Sequence, residues 1–378
     1  MHFRSSTLFL IAVLFLVACS PSVEETASPS ETALPPVTEI SVPTIQPATV
    51  EPAVDTATSQ PALATNWLSQ LEVIQAGNWS RLQLLKTFPA EMPLSQSAIA
   101  ISPDRKTMAV GSREGAQIFF FDVESGQLLR TVSMGISDLG KYFNLVGMEY
   151  LPDGTLIANS TGPYAIYHLD ADGNVLAMWS GSNFALSADK KVMAHSDDTG
   201  LTLVDIASNT TLATLEGVSG LDFSLSPDGT RIAVEDAGVD YIHTTIWDIP
   251  GKTSLTILEE TAAPRYSPDG MFLAAIYYDY ENDRTPLKIF SPDGKTEITS
   301  LNVGEPGDLT NRAPLWSIDG SLIAAQIANG SPTAWDTTNW QHLDATALQG
   351  ELHSLSPDGH ILITRTADGS ILLWGVVS

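Results

Sequence analysis

The sequence predicts an all-β protein built from seven copies of a four-stranded antiparallel unit, a seven-bladed β-propeller. One observation is a recurring Ser-Pro-Asp-Gly turn or a near variant, in which Pro fixes φ and Gly supplies the left-handed position. Another is the spacing of these turns, which is close to the ~40–45 residues of a four-stranded blade. The turn aspartates are Asp104, Asp153, Asp189, Asp228, Asp269, Asp319 and Asp358.

Residues 221–258 show the repeated unit most clearly. Short apolar strands are predicted at 221–225, 231–234, 244–248 and 254–258, with turns between them. Four short strands cannot bury both faces of their sheet alone, so neighbouring copies must cover one another. We therefore expect blades at 95–132, 146–180, 182–216, 219–258, 262–301, 312–345 and 351–378.

The last blade lacks a fourth strand, because the chain ends at Ser378 soon after a third strand. A strand predicted at 81–87 can supply it, which would close the ring and remove an exposed edge. An eighth turn, Ser291-Pro292-Asp293-Gly294, comes too soon after Asp269 to start a blade and is predicted to be the last hairpin of blade 5. Residues 66–78 are expected to form a short cap.

Third-strand endings carry a family resemblance. They are Phe121-Asp122, Val204-Asp205, Trp247-Asp248 and Trp335-Asp336, with Trp374-Gly375 as a degenerate copy. With the Ser-Pro-Asp-Gly turns, they make roughly residues 80–378 resemble a divergent WD-repeat propeller, and the propeller domain is predicted at 66–378. The Gly-His pair of that family is missing, so its buried Asp-His-Ser/Thr-Trp network is expected to be absent. The resemblance implies a fold, because propellers host unrelated activities.

The N-terminus resembles that of a bacterial lipoprotein. Residues 1–18 hold one basic residue, Arg4, and an apolar run too short to span a bilayer but suited to a signal peptide. The run ends in Leu16-Val17-Ala18-Cys19, and Cys19 is the single cysteine of the chain. The resemblance implies cleavage before Cys19 and lipidation of its thiol, so the protein would be extracytoplasmic and anchored to the cell membrane or outer membrane. The alternative is an ordinary secretory signal.

Residues 19–65 are predicted to be a disordered linker rich in Pro, Ser and Thr. The linker holds six acidic residues and no Lys or Arg, so most of the net charge of −26 belongs to residues 66–378. Such a domain repels nucleic acid and anionic headgroups. We expect a monomer that reaches the membrane through its lipid alone and binds a neutral or basic protein or peptide.

Two long loops are candidate contact surfaces because they mix aromatic and charged residues. One is 133–146 and the other 277–286, and residues 236–241 are expected to extend the same rim. The alternative is a solvated acidic loop. The candidate partner-binding residues are Tyr142, Tyr277, Tyr278, Tyr280, Glu281 and Asp283.

The central channel is the other candidate site, because polar residues stand near the starts of predicted first strands. These are Asn183, Asp222 and Arg312, with Glu149 and Arg265 further along their strands. A propeller enzyme (a hydrolase or lyase) or a sensor of a small ligand or metal would have its site there. A water-filled channel is the alternative.

No catalytic or metal-binding motif is recognisable. The sequence lacks a nucleophile elbow, a phosphate loop, a His-Glu-x-x-His motif and a second cysteine, so no cofactor or metal is predicted. Asp170-Ala171-Asp172-Gly173-Asn174 partly resembles a calcium loop but does not complete its ligand pattern. The sequence therefore favours a protein-binding scaffold over an enzyme.

Overall fold

The structure, a computed structural model, describes residues 66–89, 94–112, 117–134, 144–162, 164–238, 241–282, 284–302, 313–326, 332–345 and 347–378. The predictions made for Cys19, Tyr142, Asp283 and Arg312 lie outside these residues. Within the described part of the chain, no helix is long and apolar enough to cross a membrane.

The described chain begins with a short segment of mixed structure. Two 3-10 helices, Trp67–Gln70 and Ala76–Arg81, flank strand β1 (Leu71–Glu72), and strand β2 (Gln83–Phe88) follows. Each of the next three sheets is a four-stranded antiparallel meander, blades 1 to 3. Their strands are β3 (Leu94–Ile101), β4 (Thr107–Ser112), β5 (Gln117–Asp122), β6 (Leu128–Ser133), β7 (Asn144–Tyr150), β8 (Leu156–Thr161), β9 (Ala165–Leu169), β10 (Val175–Ser180), β11 (Phe184–Leu186), β12 (Val192–Asp197), β13 (Gly200–Asp205) and β14 (Thr210–Glu216).

Blades 4 to 6 repeat the same meander, and blade 7 has three strands of its own. Their strands are β15 (Asp222–Leu225), β16 (Arg231–Ala237), β17 (Ile242–Asp248), β18 (Thr253–Glu259), β19 (Thr261–Tyr266), β20 (Leu273–Tyr277), β21 (Leu287–Phe290), β22 (Glu297–Leu301), β23 (Leu315–Trp316), β24 (Leu322–Ala325), β25 (Thr333–Asp336), β26 (Gln341–Leu343), β27 (Glu351–Leu355), β28 (Leu362–Arg365) and β29 (Ile371–Val377). The prediction of seven blades is confirmed.

The turn between the first two strands of a blade is held by its own side chains. In blade 4, the Ser226 hydroxyl donates to Asp228 at 2.7 Å and accepts the Arg231 amide at 2.9 Å. This bond from Ser226 lowers the pKa of Asp228. Gly229 follows in the left-handed region, with φ 68°. The same Ser–Asp bond, 2.5–2.7 Å long, recurs in six further turns, beginning at Ser102, Ser187, Ser267, Ser291, Ser317 and Ser356.

Two of these turns use a charged residue where Gly is expected. Arg105 and Lys190 take the left-handed position, with φ 62° and 55°. Each side chain reaches the preceding blade: Arg105 pairs with Asp358 at 3.0 Å, and Lys190 pairs with Glu149 at 2.6 Å. These departures from the repeat therefore link neighbouring blades. The turn at Ser291 joins β21 to β22, as predicted for the last hairpin of blade 5.

The apolar core lies between blades. Seven clusters of buried side chains are present among the described residues, and each joins two adjacent blades. Ile232 and Val234 of blade 4, for example, pack with Leu201 and Leu203 of blade 3. Each blade therefore depends on its two neighbours, as in other repeat architectures.

The N-terminal segment closes the ring at blade 7. Strand β2 pairs antiparallel with β29, and β1 continues along the same edge at Val376 and Val377. Trp79 and Ile74 are fully buried beside Trp374 in the cluster between blades 6 and 7. The predicted closing strand is confirmed, shifted by one or two residues, and residues 66–78 pack on the propeller as expected.

The buried Asp-His-Ser/Thr-Trp network was expected to be absent, but its Thr and Trp members are hydrogen-bonded in blade 7. The indole of Trp374 donates to Thr364 at 2.7 Å, and the Thr364 hydroxyl donates to the Gln349 carbonyl at 2.6 Å. A backbone carbonyl thus takes the place that the resemblance assigns to His and Asp. The buried Trp can therefore satisfy its N–H without them.

Candidate functional site

The antiparallel meander places alternate turns on opposite faces of the propeller. Turns between second and third strands share one end of the blades with the connections between blades, and we call this the loop face. Turns between first and second strands share the opposite end with turns between third and fourth strands, and we call this the hairpin face. The long loop of blade 5, between β20 and β21, therefore lies on the loop face.

The predicted tyrosines of that loop have different environments. Tyr277 is half-buried, donates to Glu260 at 2.9 Å and lies under the Lys288 ammonium, 3.6 Å from the ring centre. Tyr278 is buried, with 6% exposure, and burial raises its pKa to about 12. Tyr278 was predicted to contact a partner, but its burial leaves it as support for the loop.

Tyr280 is the exposed aromatic at the tip of the loop. Its side chain is 69% exposed and its ring stacks on Tyr278, with centroids 6.0 Å apart and planes 16° apart. The Asn282 side chain donates to Asp279, and this bond lowers the pKa of Asp279. Glu281 is exposed beside Tyr280. The loop therefore presents an exposed aromatic ring that stacks on a buried one.

Exposed tyrosines of the described chain share one topological position. Tyr164, Tyr241 and Tyr280 are 61%, 52% and 69% exposed, and each lies in a turn between a second and a third strand. Tyr241 stacks on His243, with centroids 5.4 Å apart. Tyr164 was not among the predicted site residues, although Tyr164 and Tyr241 both directly precede a third strand in the sequence. All three are on the loop face.

The channel residues come together in part. Arg265 donates to Asp222 at 2.8 Å, and Asn183 donates to the Leu221 carbonyl at 2.9 Å. The positive and negative charges of blades 5 and 4 therefore neutralise each other. Among the described residues, no group of three His, Cys, Asp or Glu side chains is arranged to hold a metal ion.

A cavity of about 340 Å³ opens at the hairpin face of the channel. Its wall is formed by ends of first strands from blades 1, 2, 6 and 7, including Tyr150 and Trp316, with Lys190 at its edge. Lys190 is engaged by Glu149 at 2.6 Å and by the Tyr150 carbonyl at 3.1 Å. The lysine is therefore held as a link between blades 2 and 3.

Sequence analysis also missed a buried carboxyl group beside the channel. Glu235 is 2% exposed and accepts the Ala263 amide of blade 5 at 2.7 Å. Gln326 occupies the same place in blade 6 and accepts the Leu352 amide of blade 7 at 2.6 Å. Burial raises the pKa of Glu235, the hydrogen bond from the Ala263 amide opposes this increase, and Asp222 raises and Arg265 lowers the pKa by smaller amounts. The carboxyl thus joins two blades, and its pKa lies above that of a glutamate in water.

We expect Glu235→Gln to remove a pH-dependent loss of stability. Because the folded-state pKa is raised, the unfolded chain releases this proton first, so stability falls as pH rises from about 4.3 through the folded value. Glutamine keeps the acceptor and cannot ionise, so thermal midpoints should rise at pH 8 and change little at pH 4. Relative to Glu235→Gln, Glu235→Leu should cost about 1–3 kcal/mol at every pH, because the Ala263 amide stays buried without a partner.

The matched control is Gln326→Glu, which places a carboxyl at the same position of blade 6. Gln326→Glu should add a second loss of folding stability as pH rises. Equal pH profiles for the wild type, Glu235→Gln and Gln326→Glu would contradict this account of Glu235.

Comparison with known proteins supports the architecture. The chain has a TM-score of 0.57 to the hydrazine synthase of Kuenenia stuttgartiensis at 15% identity, covering 77% of this chain and 98% of that one. It has a TM-score of 0.56 to the Dos1 propeller at 12% identity, and the match covers 79% of this chain and 95% of that one. No family model and no curated protein matches the sequence. At these identities the likeness establishes the fold alone, and the chain is a seven-bladed β-propeller.

Proposed function

We propose that this chain is a lipid-anchored, extracytoplasmic, WD-repeat-like propeller that binds a protein or peptide partner through its loop face. The observation that carries the proposal is the position of Tyr164, Tyr241 and Tyr280, which are exposed at equivalent turns of one face. Aromatic side chains dominate the energetics of protein interfaces, and a ring held in place loses little entropy on binding.

Charge supports a neutral or basic partner. The chain carries 44 acidic and 18 basic residues, and carboxylates such as Asp236 and Glu281 accompany the exposed tyrosines. A field of this sign steers basic surfaces towards the loop face and repels acidic ones. The membrane anchor is supported by the sequence around Cys19, and the linker would hold the propeller away from the lipid surface.

The test places a photo-crosslinking amino acid, benzoylphenylalanine, at Tyr280 of the full-length protein in its native envelope. A discrete crosslinked protein is expected from this site and none from Met271, which is 61% exposed on the hairpin face of the same blade. Tyr280→Ala should weaken the captured complex about thirtyfold, the effect of losing a 2 kcal/mol anchor, and Met271→Ala less than about twofold.

Tyr280→Ala should leave the thermal midpoint unchanged, because the side chain is 69% exposed. Equal crosslinking from Tyr280 and Met271, or a complex that tolerates Tyr280→Ala, would refute binding through the loop face.

A further inference from the structure

The outer strand of blade 2, β10, differs from the outer strands of the other blades. The others are protected, either by a charged residue (Arg130 in β6, Glu216 in β14, Glu259 in β18, Glu297 in β22, Lys86 in β2) or by a length of only three residues in β26. Strand β10 reads Val-Leu-Ala-Met-Trp-Ser and carries no charge. Charges and short strands are the usual means of keeping a sheet edge unpaired.

Strand β10 also exposes its apolar side chains. Val175, Leu176 and Met178 are 44%, 55% and 62% exposed. Within the described chain, β10 pairs only with β9, so the backbone groups of its other edge face outward. A bulge between Val175 and Ala177 leaves residues 177–180 in regular register. These four residues can accept an added strand.

The C-terminal end of β10 opens onto a groove of about 640 Å³ on the loop face. Ser180 lies at this junction, and its hydroxyl donates to Asp197 at 2.8 Å. The groove is walled by the exposed Tyr164 ring, by Asp197 and Asp198, and otherwise by serine, threonine and glycine. Hydrogen bonds led by that from Thr199 hold the pKa of Asp197 at about 2, so this end stays negative.

We propose that β10 is a docking edge for an extended peptide segment in which a short apolar run is followed or preceded by a lysine or arginine. Backbone hydrogen bonds to residues 177–180 and contacts with Met178 bind the apolar run, as in other cases of strand addition. The basic side chain lies in the groove, against Asp198 and the face of Tyr164.

Charge distinguishes this occupant from a second copy of the chain. Two copies paired antiparallel through β10 would bring Asp172 and Arg130 at the start of the strand in one copy towards Asp197 and Asp198 at its end in the other, so the strand ends give no net attraction. The net charge of −26 makes the two copies repel each other. At the opposite end of β10, Arg130 donates to the Ala171 carbonyl, so that end carries both signs of charge. The groove end therefore selects the basic residue.

This site goes beyond the proposed function, because it uses a sheet edge at the rim of blade 2, and it shares only Tyr164 with the exposed tyrosines of the loop face. The two can be tested separately. Tyr280→Ala should leave docking at β10 unchanged, and substitutions in β10 should leave crosslinking from Tyr280 unchanged.

The test measures binding of a labelled synthetic peptide, Lys-Lys-Val-Thr-Val-Ser-Val, to the full-length protein in detergent by fluorescence anisotropy. Saturable binding is expected, and Met178→Glu should weaken it at least about tenfold. The matched control is Thr214→Glu at the equivalent position of the outer strand of blade 3, which should change affinity less than about twofold. Asp198→Asn should reduce affinity by about three- to tenfold, with a weaker dependence on salt.

Two altered peptides separate the contribution of the backbone hydrogen bonds from that of the basic side chains. N-methylation of alternate backbone amides should abolish binding, because it removes donors and keeps the side chains. Replacing both lysines with glutamate should also abolish binding, because the peptide would then be repelled by Asp197 and Asp198. Binding that survives N-methylation or Met178→Glu, or no saturable binding up to about 1 mM, would overturn the proposal. A dimer of the full chain that Met178→Glu dissociates would overturn it in favour of a second copy.

Discussion

Deleting residues 66–88, so that residue 65 joins Pro89, should lower the thermal midpoint by at least about 15 °C or abolish the cooperative transition. The deletion removes both strands of the described chain, β1 and β2, that pair with the outer edge of β29. It also removes Ile74, Trp79 and Leu85, which are 0–3% exposed. Truncating one buried large side chain costs about 2–5 kcal/mol, so three approach the 5–15 kcal/mol that hold a typical domain together.

The measurement is circular dichroism at increasing temperature, with a deletion of residues 36–58 from the linker as a control of the same length. The linker deletion should leave the midpoint within about 2 °C of the wild type. Trp79→Ala alone should cost about 3–5 kcal/mol, because its indole fills the cluster between blades 6 and 7. A synthetic peptide of residues 66–88 should partly restore the midpoint of the deleted protein.

An unchanged midpoint after deletion of 66–88 would show that blades 1 and 7 hold the ring without the segment. Their direct contacts are substantial, since Ile101 and Val110 of blade 1 pack with Ile363 and Leu373 of blade 7. The experiment therefore measures how much of the closure comes from strand pairing and how much from the packing of neighbouring blades.

The blades could be predicted because each repeat carries its own turn chemistry. A Ser-Pro-Asp-Gly turn satisfies its own backbone groups, so it marks a hairpin wherever it occurs and needs no tertiary contact. The closing strand could be predicted because blade 7 lacks a fourth strand of its own. Strand β1 and the burial of Trp79 could not be predicted, because a two-residue strand and an irregular segment carry no periodic signal.

Side-chain environments were harder to predict than strands. Tyr278 and Tyr280 are two residues apart, and their burial depends on the path of a loop that no repeat specifies. Glu235 stands in an apolar strand, and only the neighbouring blade supplies the Ala263 amide that explains it. The placement of Asn183, Asp222 and Arg265 along first strands was predictable, whereas the ion pair between Asp222 and Arg265 depends on the distance between blades.

Cys19→Ser should release the protein from the membrane completely. The thiol is the single one in the chain, so no other cysteine can carry the lipid. The apolar run at 8–17 is about half the length of a membrane-spanning helix, so it cannot replace the lipid as an anchor. Each buried methylene of an acyl chain contributes about 0.8 kcal/mol, and two N-terminal acyl signals give stable anchoring that the acidic propeller cannot supply.

The measurement is detergent phase partitioning together with the intact mass of the mature protein. The wild type should enter the detergent phase and begin at a lipidated Cys19, and Cys19→Ser should remain in the aqueous phase without added mass. Ala18→Gly keeps a small residue before the cysteine and should behave as the wild type. A Cys19→Ser protein that is cleaved and still enters the detergent phase would refute lipid anchoring, since the propeller itself would then bind the membrane.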